Sequence, residues 1–261
     1  MRFFLIYSLF FICEAFAESN EDDFKNIFKI NEIVSSLNST RDLSCRENLN
    51  IGNNRQSIKH ETNDPNDEEL LVSTLSEEEL TYIFTILKND KENFFNNIRG
   101  GCEARAHRMV QVLDGLGVQS IKVFIQGRAD NTLRVKTDKE PAGFVEWPFH
   151  VAPLVKLKTG KKIIKRVKTG FFSSKEVEVD EIVDMVLDPG IFDKPVPLSQ
   201  WIKIQTEFNK TIKRDLFFTQ KYNYFPQDKY EKLKSYQDMD NDRMQSRIDR
   251  NKTELEERQS K

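Results

Sequence analysis

The chain reads as an α+β protein, and three observations carry that reading. A strong helix-forming run begins at Cys102, directly after Gly100 and Gly101, and places Ala106, Met109, Val110 and Leu113 on one face. Strand-like segments follow it at Ile121–Ile125, Trp147–Leu157 and Ile182–Leu187, and a helix followed by several strands is an α+β layout. Only 10 glycines and 8 prolines occur in 261 residues, against 20 phenylalanines, which fits a packed core and argues against a fibrous or low-complexity chain.

The elements follow in order. Arg2 and the apolar run from Phe3 to Cys13 have the form of a secretory signal, too short to span a bilayer, with Ala15-Phe16-Ala17 as a small-x-small cleavage site. Ile12 stands where a lipid-attachment signal at Cys13 would need a small residue. No later segment is long and apolar enough for a membrane helix. The protein is therefore expected to be secreted or periplasmic after cleavage near Ala17, without a membrane span. Phe24, Ile27, Phe28, Ile30, Ile33, Val34 and Leu37 recur at helical spacing, and a polar, Asn-rich linker is expected over 45–69. Ser76 with Glu79 forms a capping-box pattern that opens a helix through Leu87.

The helix from Cys102 should stop near Gly115 or Gly117. A polar loop is expected from Gly127 to Gly143. Lys161–Val167 and Glu176–Val179 read as a basic and a more acidic hairpin arm joined near Gly170. A helix is expected around Trp201–Ile212, followed by an aromatic stretch, Phe217–Phe225, that packs back on the core. From Asp228 the tail is highly charged, and a solvated helix or disorder is its default. The organisation is thus a signal at 1–17, an N-terminal helical pro-segment or accessory region with its linker at 18–75, a catalytic domain at 76–225 and a charged tail at 226–261. A formal net charge of −2 with 31% charged residues argues against a general nucleic-acid binder. Asp238, Asp240 and Asp242 mimic the start of a calcium loop, but Arg243 and Asp249 stand where glycine and glutamate belong.

Cys102 carries the most chemistry. A thiol at a helix N-terminus lies near the positive end of the macrodipole, which favours the nucleophilic thiolate, and the same backbone N–H groups can receive an oxyanion. His150 on its apolar strand is a candidate base, and Asp188, ending the run Met185-Val186-Leu187, a candidate orienting group. Order alone is a weak signal. Such a histidine is often structural, and an aspartate before Pro-Gly is often a turn former. His107, on another helix face, reads as structural or surface. With three histidines and no CxxC among the mature cysteines, a zinc site is disfavoured. Cys45 and Cys102 remain after the signal and allow either one disulfide or a free catalytic thiol.

Three local motifs in one order resemble the bacterial protein-glutaminase family. They are Gly101-Cys102-x-Ala104-Arg105-Ala106-His107-x-Met109, Trp147-x-x-His150-Val151-Ala152, and Val186-Leu187-Asp188-Pro189-x-x-Phe192 with Pro195-Val196 and Trp201. The resemblance implies a transglutaminase-like, papain-related core, in which a helix carrying Cys packs on an antiparallel sheet carrying His and Asp. It implies a cysteine-dependent amidohydrolase that converts protein-bound glutamine to glutamate and ammonia through a thioester. Cys102 would be nucleophile, His150 base and Asp188 the third member, with no cofactor and no metal. Partners would be proteins or peptides with exposed glutamine, and the protein a monomer. From its position Trp147 is a candidate wall of the substrate cleft, with a core tryptophan as the alternative. The resemblance also implies an N-terminal pro-segment, here residues 18–75. The alternatives are a transglutaminase, a papain-like peptidase or a peptidoglycan amidase using the same triad. A further alternative is a dead binding module with a Cys45–Cys102 disulfide.

Overall fold

The structure is a computed structural model that describes residues 55–58, 70–128, 132–170, 173–208, 213–225 and 234–260. The expected signal, the helix over 18–44 and Cys45 lie outside these residues.

The described residues form elements in the order β1 (Arg55–Ile58), β2 (Leu70–Leu75), α1 (Glu77–Asn89), α2 (Cys102–Gly115), β3 (Ile121–Gly127), β4 (Leu133–Lys136), β5 (Phe144–Trp147), β6 (Phe149–Lys168), β7 (Ser174–Val186), β8 (Val196–Pro197), α3 (Leu198–Thr206), β9 (Arg214–Thr219) and α4 (Lys234–Gln259). β1, β2, β6, β3, β9, β7 and β8 form a seven-stranded sheet, and β4 with β5 a separate ribbon. Most pairings are antiparallel. The exception is β2 beside β6, parallel through Thr74–Lys156 and Leu75–Leu157. β1 places a strand inside the segment expected to be a linker, and β2 joins the central sheet ahead of α1.

The α+β expectation is borne out, and each boundary has a local cause. Ser76 and Glu79 close the capping box: the Glu79 N–H donates to Ser76 Oγ at 3.2 Å, and the Ser76 N–H donates to Glu79 Oε2 at 2.8 Å. α2 starts after Gly101, whose φ of 73° lies in the left-handed region that glycine enters without a Cβ penalty. Pro148 cannot donate to a ladder and divides the segment expected as one strand into β5 and β6. Beyond it, β6 runs on for 20 residues, because pairing with β7 continues past the core. A register slip between Lys158 and Lys162 takes up Gly160 at φ 76°, a bulge that marks where the ribbon leaves the body.

The expected polar loop is corrected here. The polar loop over 127–143 contains β4, paired with β5 from Leu133–Trp147 to Lys136–Phe144, and Leu133 and Val135 are buried. Leu133-Arg134-Val135-Lys136 does alternate, but over too few residues to stand out. The charged tail, expected as a solvated helix or disorder, is a helix over Lys234–Gln259. α4 buries Met244, Ile248 and Asn251, spaced at helical intervals on one face, while acidic and basic residues on its other faces mask that stripe in the composition. α3 covers Leu198–Thr206, ending earlier than expected, where Thr206 Oγ1 bonds back to the Ile202 carbonyl at 2.9 Å.

The core lies between the sheet and helices α1 and α2. Leu75, Ile83, Leu87, Ile98, Leu113, Phe124 and Leu154 are fully buried in it. α2 is sandwiched, with β6 on one side and α4 on the other. This explains why Cys102, Ala104, Arg105, Ala106, His107, Met109, Val110 and Leu113 are all buried, more than one amphipathic face supplies. The distal ribbon is different. Ile164 is 71% exposed, and Lys158 and Lys162 reach Asp180 across the strands at 2.8 and 2.6 Å.

Candidate catalytic site

α2 delivers Cys102 at its first residue, and β6 delivers His150. β7 ends at Val186, so Asp188 sits in the turn just beyond the sheet rather than on a strand. There its carbonyl accepts the N–H of Ile191 at 3.2 Å and of Phe192 at 3.0 Å. The Asp-Pro-Gly turn is therefore real, and it also aims the carboxylate inward.

The structure brings His150 and Asp188 together. His150 Nε2 donates to Asp188 Oδ2 at 2.8 Å, with both residues buried. The same oxygen accepts the indole N–H of Trp201 at 2.9 Å. Burial alone would raise the Asp188 pKa. The charge of and bond from His150, the Trp201 bond and the Arg105 charge outweigh it and hold the carboxyl below its usual range. With Nε2 committed to Asp188, His150 Nδ1 is buried without a hydrogen-bond partner. In the neutral ring that nitrogen is the proton acceptor.

Cys102 is a free thiol, 4% exposed. The backbone N–H of Val151, next to His150, lies near enough to favour the charged form of its sulfur. Sγ itself faces Glu103 Oε2 at 3.5 Å. Burial pushes the thiol pKa well above its ordinary value, and the Glu103 charge adds to the rise. Arg105 and the Val151 N–H oppose it without prevailing. The helix N-terminus was expected to favour thiolate, but in this closed arrangement desolvation wins and the thiol keeps its proton.

Trp147 lies against the imidazole, not along an open cleft. The two rings stack at 4.7 Å between centroids and 16° between planes, and the Trp147 indole N–H donates to the Ile98 carbonyl at 2.8 Å. Trp201 stacks on the ring as well, at 5.7 Å and 30°. Two tryptophans thus pack against His150, and one of its nitrogens is pinned by Asp188. Sequence reading did not assign Trp201 a place in the site. The signal available was its spacing of 13 residues from Asp188 in the third motif.

Arg105 was also missed. It is buried, and Nη1 donates to the carbonyls of Asn97 and Gly100 at 2.9 and 2.7 Å. It ties down the loop that leads into Cys102. An arginine at the third position after Cys102, in an otherwise apolar buried stretch, was its signal. His107 is structural, as one reading held. It is buried, its Nδ1 lies 3.1 Å from Lys122 Nζ, and its ring tilts against Tyr224. The calcium-like aspartates fall inside helix α4, which cannot wrap an ion as a loop does.

Among the described residues no cluster of three or more His, Cys, Asp or Glu is placed to hold a metal, and no helix is long and apolar enough to cross a membrane. A surface pocket of about 490 Å³ between β4 and α3 is lined by Arg134, Lys136, Lys203, Ile204, Glu207 and Phe208. None of the three candidate catalytic residues lines it.

Comparison with known proteins bears out the resemblance read from the motifs. A family model described as glutaminase, of the Gln_deamidase_2 type, matches residues 80–181. The match takes in Cys102 and His150 and stops short of Asp188. Among solved structures, a crystal structure of protein-glutaminase is similar at 22% identity and a TM-score of 0.47, over 63% of this chain and 83% of that one. The NMR structure of protein-glutaminase from Chryseobacterium proteolyticum is similar at 21% identity and a TM-score of 0.45, over 62% and 81%. A crystal structure of pro-protein-glutaminase is similar at 24% identity and a TM-score of 0.44, over 64% of this chain and 53% of that one. No curated protein matches the chain by sequence.

Proposed function

We propose that this chain, whose residues 80–181 match the glutaminase family model, is an exported protein glutaminase. It hydrolyses the side-chain amide of protein-bound glutamine. The observation that carries the reading is the buried His150–Asp188 pair, with Nδ1 of His150 left without a partner and Cys102 a buried free thiol at the start of α2.

The chemistry runs as acyl transfer in two halves. His150 Nδ1 takes the thiol proton, and the Cys102 sulfur bonds to the glutaminyl carboxamide carbon. The oxygen of the tetrahedral intermediate is stabilised by backbone N–H groups at the start of α2. The C–N bond breaks, His150 returns the proton to the departing nitrogen, and ammonia leaves a thioester on Cys102. Water then attacks the thioester with His150 as base, releasing glutamate and restoring the thiol. Asp188 fixes the imidazole tautomer, and Trp201 fixes Asp188. An amine in place of water would give a transglutaminase, and a backbone amide a peptidase.

Trapping the intermediate separates side-chain amide attack from backbone cleavage, and the fate of the thioester in the presence of an added amine separates hydrolysis from amine transfer. Intact-mass analysis after acid quench should find a glutaminyl peptide, minus ammonia, attached at Cys102 and released by hydroxylamine. A truncated peptide fragment on Cys102 would mean backbone cleavage instead. No adduct on a protein whose thiol reacts with iodoacetamide would sink the thioester mechanism.

A further inference from the structure

We infer that helix α4 is a built-in cover of the catalytic site, occupying the face of the nucleophile turn that a glutamine-bearing protein has to reach. The inference rests on reading Cys102 as the nucleophile, and it concerns how that residue is kept from substrate.

The contacts follow one line. α4 runs antiparallel to α2, since residue numbers rise along one as they fall along the other. Asn241 bonds Gln111, Met244 and Ile248 cluster with Ala104 and Tyr224, and Arg247 pairs with Glu103 at 3.5 Å. The helix then continues past the N-terminus of α2. Asn251 Nδ2 donates to the Gly100 carbonyl at 3.3 Å, and its own carbonyl accepts Asn97 Nδ2 at 3.1 Å. Further on, Arg258 reaches Glu140 at 3.3 Å, on the loop between β4 and β5.

The fit over the turn is close. A Cβ on Gly101 would lie 2.2 Å from Asn251 Nδ2, and one on Gly100 would lie 2.6 Å from Arg247 Nη2. The two glycines therefore do more than let the backbone turn into α2. They leave room for α4 to lie on it. Cys102 is closed off, its thiol facing Glu103, the residue that Arg247 holds.

The attachment is suited to release. Among the described side chains of α4, Met244 and Ile248 are the apolar ones buried in the body, and its contacts through Asn241, Arg247, Asn251 and Arg258 are polar or ionic. Polar contacts on leaving the surface exchange for water at small net cost. An opening of α4 would uncover the turn while the sheet and the His150–Asp188 pair stay in place.

Native-state alkylation of the full chain tests this, with Cys102 followed by peptide mass. Arg247→Glu sets two acids against each other at the partly exposed pair with Glu103 and leaves the core untouched. Ile248→Asp attacks the apolar contact directly. The expected result is alkylation of Cys102 faster by about tenfold or more in Arg247→Glu, as the open population grows, with ammonia release from a glutamine-rich protein rising alongside. Lys165→Glu on the distal ribbon is the control and should match the wild type. If Ile248→Asp melts out, Arg247→Glu decides alone. Alkylation unchanged in a folded Arg247→Glu protein would overturn the inference. Faster alkylation with no ammonia from any variant would support the cover and count against the glutaminase reading.

Discussion

At the scale of single residues, the account turns on how His150 is held. Asp188→Asn keeps the shape but allows the wrong imidazole tautomer, and ammonia release should fall by about a hundredfold or more. Trp201→Phe keeps an aromatic ring at that position and removes the N–H that reaches Asp188, together with part of a fully buried ring system. It should cost about 1–2 kcal/mol of stability, read by denaturant unfolding, and lower turnover less than Asp188→Asn does. Equal activity in Trp201→Phe and wild type would show that the indole bond does not position the pair. His107 gives a pH signature. Burial, with the Lys122 charge behind it, lowers its pKa from an ordinary 6.5 to about 3. Between these values the unfolded chain binds the proton and the folded chain does not, so stability falls as pH drops from 6.5 toward 3. His107→Gln should flatten the part of that slope due to this residue, by a few kcal/mol across the window. Identical pH profiles would contradict it.

At the scale of elements, two predictions separate the catalytic body from its additions. Gly101→Ala forces a left-handed alanine and drives a Cβ into Asn251. It should destabilise the protein by about 1–3 kcal/mol in denaturant unfolding, and unchanged stability would mean the turn is looser than described. Replacing residues 161–175 of the distal ribbon with a short turn should leave the melting temperature and ammonia release close to wild type. Two paired strands with both faces in water add little stability. Loss of folding would show that the ribbon belongs to the core.

Some elements were legible because their signals are local. Ser76 and Glu79 cap a helix through each other, and Gly100-Gly101-Cys102 announces a turn into one. Others depend on partners distant in sequence. Whether α4 docks is decided by Ala104 and Tyr224, and three buried positions among the described side chains of a charged helix give no periodic signal strong enough to announce it.

At the scale of the whole molecule, the same distinction explains what the sequence disclosed of the site. Cys102, His150 and Asp188 were readable as chemical types in order, and the motifs around them carried the family resemblance. That Asp188 acts with Trp201, and that the thiol is desolvated and still protonated, depends on how α2, α4, the sheet and the turn after β7 close around one point. Local reading favoured a thiolate because a helix N-terminus is visible in sequence. The burial that reverses it comes from the assembled fold.

Ammonia release from a glutamine-rich protein such as casein, measured on the full chain and on Arg247→Glu with Cys102→Ala as control, tests the central claim most directly. The account predicts ammonia with an intact casein backbone, more from Arg247→Glu than from wild type, and none above background from Cys102→Ala. Folded wild-type and Arg247→Glu proteins that release no ammonia, or release it equally from Cys102→Ala, would contradict it.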